Sequence, residues 1–401
     1  MTLTAEARAE VVVEDAGEAL LEKVRALAPS LTARAAEFEA ARRIPADVID
    51  QLRDIGVFRM YAPRSHGGLE LDFPTTLEIL TVLARADGAA GWTAMIGTGS
   101  LTFFSRLPRE TLDTVFANGP DVIVCGSAAP AGTAQEVEGG YRVSGRWPFA
   151  SGCQNADWLF SGCVVMRDGA PAPGRIEGAP LVRHITLPAS QWRIEDTWHV
   201  EGLKGTGSHH IALDDVFVPA ANVFDFGGKS CLDGPLYQSP LHLVPLMHGA
   251  PAIGIAEGAI DDLVALAGTG KRPLFATDSL KDSPLFQLEL GRITADVRAA
   301  RALQEAQARD HWRRALAAEL AGGEALAEGA QTAVWVTTAC IRAVDACYSL
   351  GGGSVVYDTS PLQRRLRDIH AASQHTAVQP RQYINAGAAR LGHPVRHPLL
   401  G

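Results

Sequence analysis

The 401-residue sequence is 47% hydrophobic and carries 45 acidic against 36 basic side chains, a net charge of -9. That length allows two or three domains with sizeable cores, and the acidic balance has the wrong sign for a phosphate-backbone partner, so no nucleic acid is expected. Six cysteines (Cys125, Cys153, Cys163, Cys231, Cys340, Cys347) lie scattered without a CxxC pair, which suggests neither a zinc ribbon nor a disulfide framework and fits a reducing cytoplasm.

The start, MTLTAEARAEVVVED, lacks a basic end followed by an apolar core, and no uninterrupted apolar run looks long enough to cross a bilayer. A cytoplasmic chain without a membrane partner is expected. Helical spacing predicts a first helix over Asp15 to Ala28 and a second, capped by Ser30, to about Arg42. A third begins at Pro45 and stops at Gly56, a fourth runs from near Asp72 and Pro74 to Ala86, and a fifth covers Ala89 to about Gly97. These make a helical domain over residues 1–118.

From Asp121 the period changes to two. Strands are predicted at Val122 to Cys125, Ala134 to Val137, Tyr141 to Phe149, Trp158 to Val165, Leu181 to Leu187, Trp192 to Val200 and His209 to Val218, a small barrel or sandwich over residues 119–232. A linker rich in Gly, Ser and Pro follows to about Pro245. Long helices at Pro251 to Ala267, Leu285 to Ala321, Ala325 to Leu350 and Pro361 to His375, with a short one near Tyr383 to Leu391, suggest an antiparallel bundle over 233–401.

Gly139 to Trp158, GGYRVSGRWPFASGCQNADW, reads as a strand with Tyr141, Val143, Trp147 and Phe149 on one face. Ser151 continues that parity if Pro148 introduces no bulge, and Pro148 itself belongs at a sheet edge or a bulge. A flat heteroaromatic ligand could use this aromatic wall and hydroxyl, and an ordinary barrel strand with two core aromatics reads the same way. Gly268-Thr-Gly270-Lys271 lacks the leading glycine and following hydroxyl of a phosphate loop, and Gly97-Thr-Gly99 follows no strand. His209 and His210 point to opposite faces of a strand, so no metal site is expected. In RRLRDIHAASQH, Asp368 can pair with Arg364 one turn back, and His370 and His375 face different ways. Either histidine alone also reads as a surface or core residue.

In this order RIPADVIDQLRDIGVFRMYAPRSHGG, GWTAM, GSAAPAG, GRWPFASGCQNADW, GLKGTGSHHIALDDVFVP and LGGGSVVYDTSPLQRRLRDIHAASQH resemble the acyl-CoA dehydrogenase superfamily over nearly the whole chain. The resemblance implies an α+β fold of N-terminal helical domain, middle β-barrel and C-terminal four-helix bundle, usually a homotetramer. Within that superfamily the chain is more similar to flavin-dependent hydroxylases fed by a separate flavin reductase. The resemblance implies reduced FMN (FMNH2), with FAD possible, reaction with O2 to a flavin C4a-hydroperoxide, and hydroxylation of a small aromatic substrate. It places Ser151 at flavin N5, Phe149 on the ring, and Trp198 and Ser208 in the wall around it. Ser127 lines the flavin and substrate cavity, Arg272 neutralises cofactor phosphate, and His375 sits at the site of oxygen transfer and substrate binding.

Two departures stand out. His375 or Thr376 occupies the place where many dehydrogenases of the superfamily carry a catalytic glutamate, and Ile96 to Gly99 replace a phenol-contacting histidine. An N-oxygenase of an amine or amino sugar and an FAD-holding desaturase are the alternatives.

Overall fold

The computed structural model describes residues 5–175 and 178–395. It begins with α1 (Ala5–Ala41), α2 (Ala46–Ile55), α3 (Phe73–Ala86), α4 (Gly88–Gly99) and the unforeseen α5 (Arg109–Val115). The two helices expected before Arg42 are one, because α1 runs through Pro29. A proline there removes one backbone bond, while burial of Leu20, Val24, Leu31 and Phe38 on both sides of it holds the helix together. Gly56, at φ 102°, stops α2. Asp72 caps α3, its carboxylate accepting the Thr75 amide at 2.8 Å.

The middle of the chain is one mixed sheet of β1 (Val124–Val137), β2 (Gly140–Trp147), β3 (Trp158–Arg167), β4 (Ala170–Pro171), β5 (Val182–Pro188), β6 (Arg193–Glu195), β7 (His210–Pro219) and β8 (Val223–Phe224). The order is β6-β7-β2-β1-β3-β5-β8, with β4 on β3, and only β1 and β3 run parallel among the described pairs. The strands expected at Val122 to Cys125 and Ala134 to Val137 belong to one strand, β1, whose register breaks between Ser127 and Gly132. β5 and β7 touch although four places apart, so the sheet curls on itself. Trp147 fills the inside, fully buried, with its indole N–H on the Gly162 carbonyl at 2.6 Å.

The remaining helices are α6 (Pro235–Gln238), α7 (Pro240–Gly268), α8 (Pro284–Leu316), α9 (Gly322–Gly351), α10 (Pro361–Ala372) and α11 (Gln382–Arg390). The expected linker gives way five residues early, because α7 starts at Pro240 and continues through Pro245 and Pro251. It is the axis of the molecule, packed by α3, α4, α8, α9 and α10. Contrary to the sequence expectation, α7 is long and apolar enough to cross a bilayer, and 83% of its most apolar window is buried against protein. Its first half shares a hydrophobic core with the N-terminal helices and the sheet, and from Ala252 onward it shares a second core with α8, α9 and α10.

Candidate active site

Where β2 ends, the chain turns sharply. Phe149 takes a left-handed backbone at φ 64° and Gly152 one at φ 75°. A side chain on Gly152 would also meet Cys125 Sγ at 3.1 Å and Thr93 Cγ2 at 3.3 Å, so the turn lies close against β1 and α4. The expected parity therefore fails at Pro148: Trp147 is sealed in the sheet, whereas Phe149 is 68% exposed and meets the edge of Trp198 at 6.4 Å. A left-handed phenylalanine that leaves most of its ring uncovered costs backbone and solvation energy, the kind of local strain found at ligand sites.

Ser151, on this turn, is buried and lies at the head of a chain of hydroxyls. Trp92 of α4 donates its indole N–H to Ser151 Oγ at 3.1 Å, Ser151 Oγ lies 2.7 Å from Ser208 Oγ, and Ser208 Oγ lies 2.7 Å from Thr206 Oγ1. Thr206 in turn reaches the Leu203 carbonyl at 2.8 Å. A carbonyl can only accept, so the single Thr206 proton goes to Leu203, the Ser208 proton to Thr206 and the Ser151 proton to Ser208. Ser151 is left with one free lone pair and no free proton.

The loop carrying Thr206 and Ser208 is held from behind by α10. Asp368 accepts the Leu203 amide at 2.6 Å, and a Cβ on Gly202 would strike the Arg367 carbonyl, so loop and helix touch through backbone. The expected Asp368–Arg364 pair does not form: Arg364 and Arg367 both turn to Glu39, and Asp368 is buried. Burial, with Asp87 nearby, pushes the Asp368 carboxyl up to about 7. Trp198 donates to the Leu203 carbonyl at 3.1 Å, tying the wall to the same loop.

His375 lies just beyond α10, and its ring meets Trp92 edge-on at 5.8 Å. The Ala377 amide donates to its Nδ1 at 3.2 Å, which fixes the proton of the neutral ring on Nε2. Burial, and then His248, hold its pKa well below the usual imidazole range, so it is neutral at pH 7. His248 of α7 was not foreseen. Its ring stacks on His375 at 3.9 Å and 16° and meets Trp92 at 5.4 Å. The signal was a lone polar ring inside an apolar run, hidden because Pro245 and Pro251 read as breaks and left that run between linker and helix. Packing of α4 on α7 delivers it, with the Met247 side chain lying over Gly99. His370 points elsewhere, to Asp345 at 2.8 Å.

The structure thus brings together Phe149, Ser151, Trp198, Ser208 and His375. Among the described residues, no hydrogen bond or ring contact joins two carried-over residues, Ser127 and Arg272, to this group. Ser127 is half-buried on β1 opposite Ser161, at the break in register. Arg272 is exposed, four residues past Gly268 at the far end of α7, an end that lies about 30 Å along the helix from His248 at 1.5 Å per residue, and it has no acidic partner among the described residues. His209 is buried and accepts the Thr197 and Trp198 amides at 3.2 Å, which makes it a support for the wall.

Helices, curled sheet and helices again, with the Trp92–Ser151–His375 group where they meet, define an acyl-CoA dehydrogenase-type fold. The family model described as "Acyl-CoA dehydrogenase, N-terminal domain" matches residues 14–105, and "Acyl-CoA dehydrogenase, C-terminal domain" matches residues 246–380. The chain is similar to the flavin-dependent monooxygenase oxygenase subunit HsaA of Rhodococcus jostii, 32% identical with 95% of this chain and 100% of that one covered. It is similar to indole-3-acetate monooxygenase of Pseudomonas putida, 33% identical with 96% and 94% covered. Among solved structures, XiaF from Streptomyces sp. in complex with FADH2 and glycerol matches with TM-score 0.91 and 25% identity, covering 98% of this chain and 99% of that one. The chain belongs to the acyl-CoA dehydrogenase superfamily and, within it, to the flavin-dependent monooxygenases that act as oxygenase components.

Proposed function

We propose that this oxygenase takes reduced FMN or FAD from a separate flavin reductase and hydroxylates a small aromatic substrate with O2. The donor set fits a flavin: Phe149 offers an uncovered ring face beside Trp198, and Ser151 offers an acceptor at the centre of the group. When bound, reduced flavin supplies the electrons that activate dioxygen.

The chain's own residues do the rest. Because the relay from Ser151 to Leu203 consumes the Ser151 proton, Ser151 can receive an N5–H but has none to offer. Since reduced flavin has an N5–H and oxidised flavin has none, an acceptor-only Ser151 would favour the reduced state and would help hold that proton in place. His375, neutral with its proton on Nε2, holds a donor for the reacting oxygen. The relatives named as flavin-dependent monooxygenases count against the desaturase alternative.

Arg272 acts on cofactor phosphate only if a neighbouring subunit of a homotetramer brings its flavin to that end of α7. The aromatic substrate class is supported by the relative named for indole-3-acetate. The observation that carries the function is the directional relay ending on Ser151 beside His375. Anaerobic titration of the full chain with reduced and oxidised FMN and FAD tests it. Reduced flavin should bind at least about tenfold more tightly, one charge-neutral hydrogen bond's worth; equal affinities would overturn the assignment.

A further inference from the structure

The hydroxyl chain ends on a residue held in a conformation that leucine avoids. Leu203 is left-handed, at φ 51° and ψ 35°, and buried. Strain of this kind persists only where surrounding contacts over-determine it, and it collects at ligand sites. Three donors converge on the Leu203 carbonyl: the Trp198 indole at 3.1 Å, the Thr206 hydroxyl at 2.8 Å and the Thr206 amide at 3.1 Å. On its other side, the Leu203 amide donates to Asp368 Oδ1 at 2.6 Å. Where the carbonyl lies decides which way the Thr206 proton points, and with it the protons of Ser208 and Ser151.

Stability does not account for Asp368. A buried carboxyl without a cationic partner costs free energy, and no arginine of α10 is bonded to this one among the described residues. Arg364 and Arg367 turn to Glu39, and Arg365 bonds Asp262 at 3.0 Å. Asp87, buried at the start of α4, and Glu39 add like charge beside it. The Leu203 amide, 165 residues away in sequence, is the one hydrogen-bond donor to its side chain among the described residues. Backbone contact seats the loop closely: a Cβ on Gly202 would strike the Arg367 carbonyl, and one on Gly205 would lie 3.0 Å from the Cβ atoms of Ala89 and Phe38.

We propose that Asp368 is a positioning residue of the oxygenation site: by holding the Leu203 amide it fixes the carbonyl that orients the Thr206, Ser208 and Ser151 protons, and so keeps Ser151 an acceptor. This rests on the reading of Ser151 as the group that meets flavin N5. Releasing Leu203 frees Thr206 to turn its proton toward Ser208. Ser208 can then donate to Ser151, which regains a proton of its own to offer, and its bias toward reduced flavin disappears.

The test measures the midpoint potentials of FMN and FAD bound to the full chain, together with the affinities of both redox states. A tenfold preference for reduced flavin raises the bound potential by about 30 mV for a two-electron couple. Asp368→Leu removes the acceptor at similar volume and should bring a preference of about tenfold to near one, lowering the potential by about 30 mV. Thr206→Val should do the same by cutting the chain next to Leu203. Asp368→Asn keeps an oxygen for the amide and should recover most of the preference, a rescue that filling the space with leucine does not provide. In a Ser151→Ala background Asp368→Leu should move the potential no further, because the two act through one chain.

The proposal is overturned if Asp368→Leu keeps the wild-type preference, if Asp368→Asn loses as much as Asp368→Leu, or if the shift is undiminished in the Ser151→Ala background. Should Asp368→Leu not fold, Asp368→Ala is read in its place with the same expectations. A wild type that binds both redox states equally sinks the reading of Ser151 itself. A wild-type preference that Thr206→Val abolishes and Asp368→Leu leaves intact sinks only the role of Asp368.

Discussion

Replacing Ser151 by alanine tests the relay directly. The substitution deletes the acceptor of the Trp92 indole N–H at 3.1 Å and the donor to Ser208 at 2.7 Å, while Ser208 keeps its bond to Thr206. Trp92 is buried, so its N–H loses its partner without gaining water, at a cost of about 1–3 kcal/mol, and the lost Ser208 bond adds about 0.5–1.5 kcal/mol. Destabilisation of about 2–4 kcal/mol is expected in urea denaturation of the apoprotein. Trp92→Phe removes the donor itself, so in the double variant the orphaned N–H no longer exists and the combined loss should fall about 1 kcal/mol short of the sum. Ser151→Ala should also erase most of the preference for reduced over oxidised flavin and raise hydrogen peroxide release per flavin consumed. Additivity within about 0.5 kcal/mol, together with an unchanged flavin preference, would refute the relay.

Removing the imidazole in His375→Ala should slow product formation at least about a hundredfold in single-turnover kinetics, the usual scale for a positioned proton donor, and unchanged rates would exclude that role. Asp368 has a folded pKa raised to about 7 against about 4 in the unfolded chain, so its contribution to stability is complete below about pH 4 and is lost as pH rises through 7. Asp368→Asn keeps an oxygen for the Leu203 amide and should exceed the wild type by about 2–4 kcal/mol at pH 8, a gap that closes toward pH 4 in pH-dependent melts. Phe149→Gly relieves about 1–2 kcal/mol of left-handed strain but loses the exposed ring, so the apoprotein should melt no lower while affinity for reduced flavin drops about tenfold or more.

Periodicity in the sequence was enough for the helix-sheet-helix order, because apolar spacing of 3.6 and of 2 records which face of each element is buried. The capping of α3 by Asp72 and the end of α2 at Gly56 were equally local. Prolines misled: Pro29, Pro245 and Pro251 read as breaks, yet tertiary packing holds α1 and α7 helical through them. That misreading left His248 unassigned between the expected linker and the next helix. The resemblance to a family assigned Ser151 and His375, but which atom bears each proton follows only from the Leu203, Val244 and Ala377 backbone groups that they or their neighbours meet. The linear chain determines which elements form and which side chains are available. Only the folded chain sets the direction of a hydrogen bond between residues as far apart as Trp92 and Ser151, or leaves a buried nitrogen such as His248 Nε2 without a partner, because those properties belong to contacts rather than to residues.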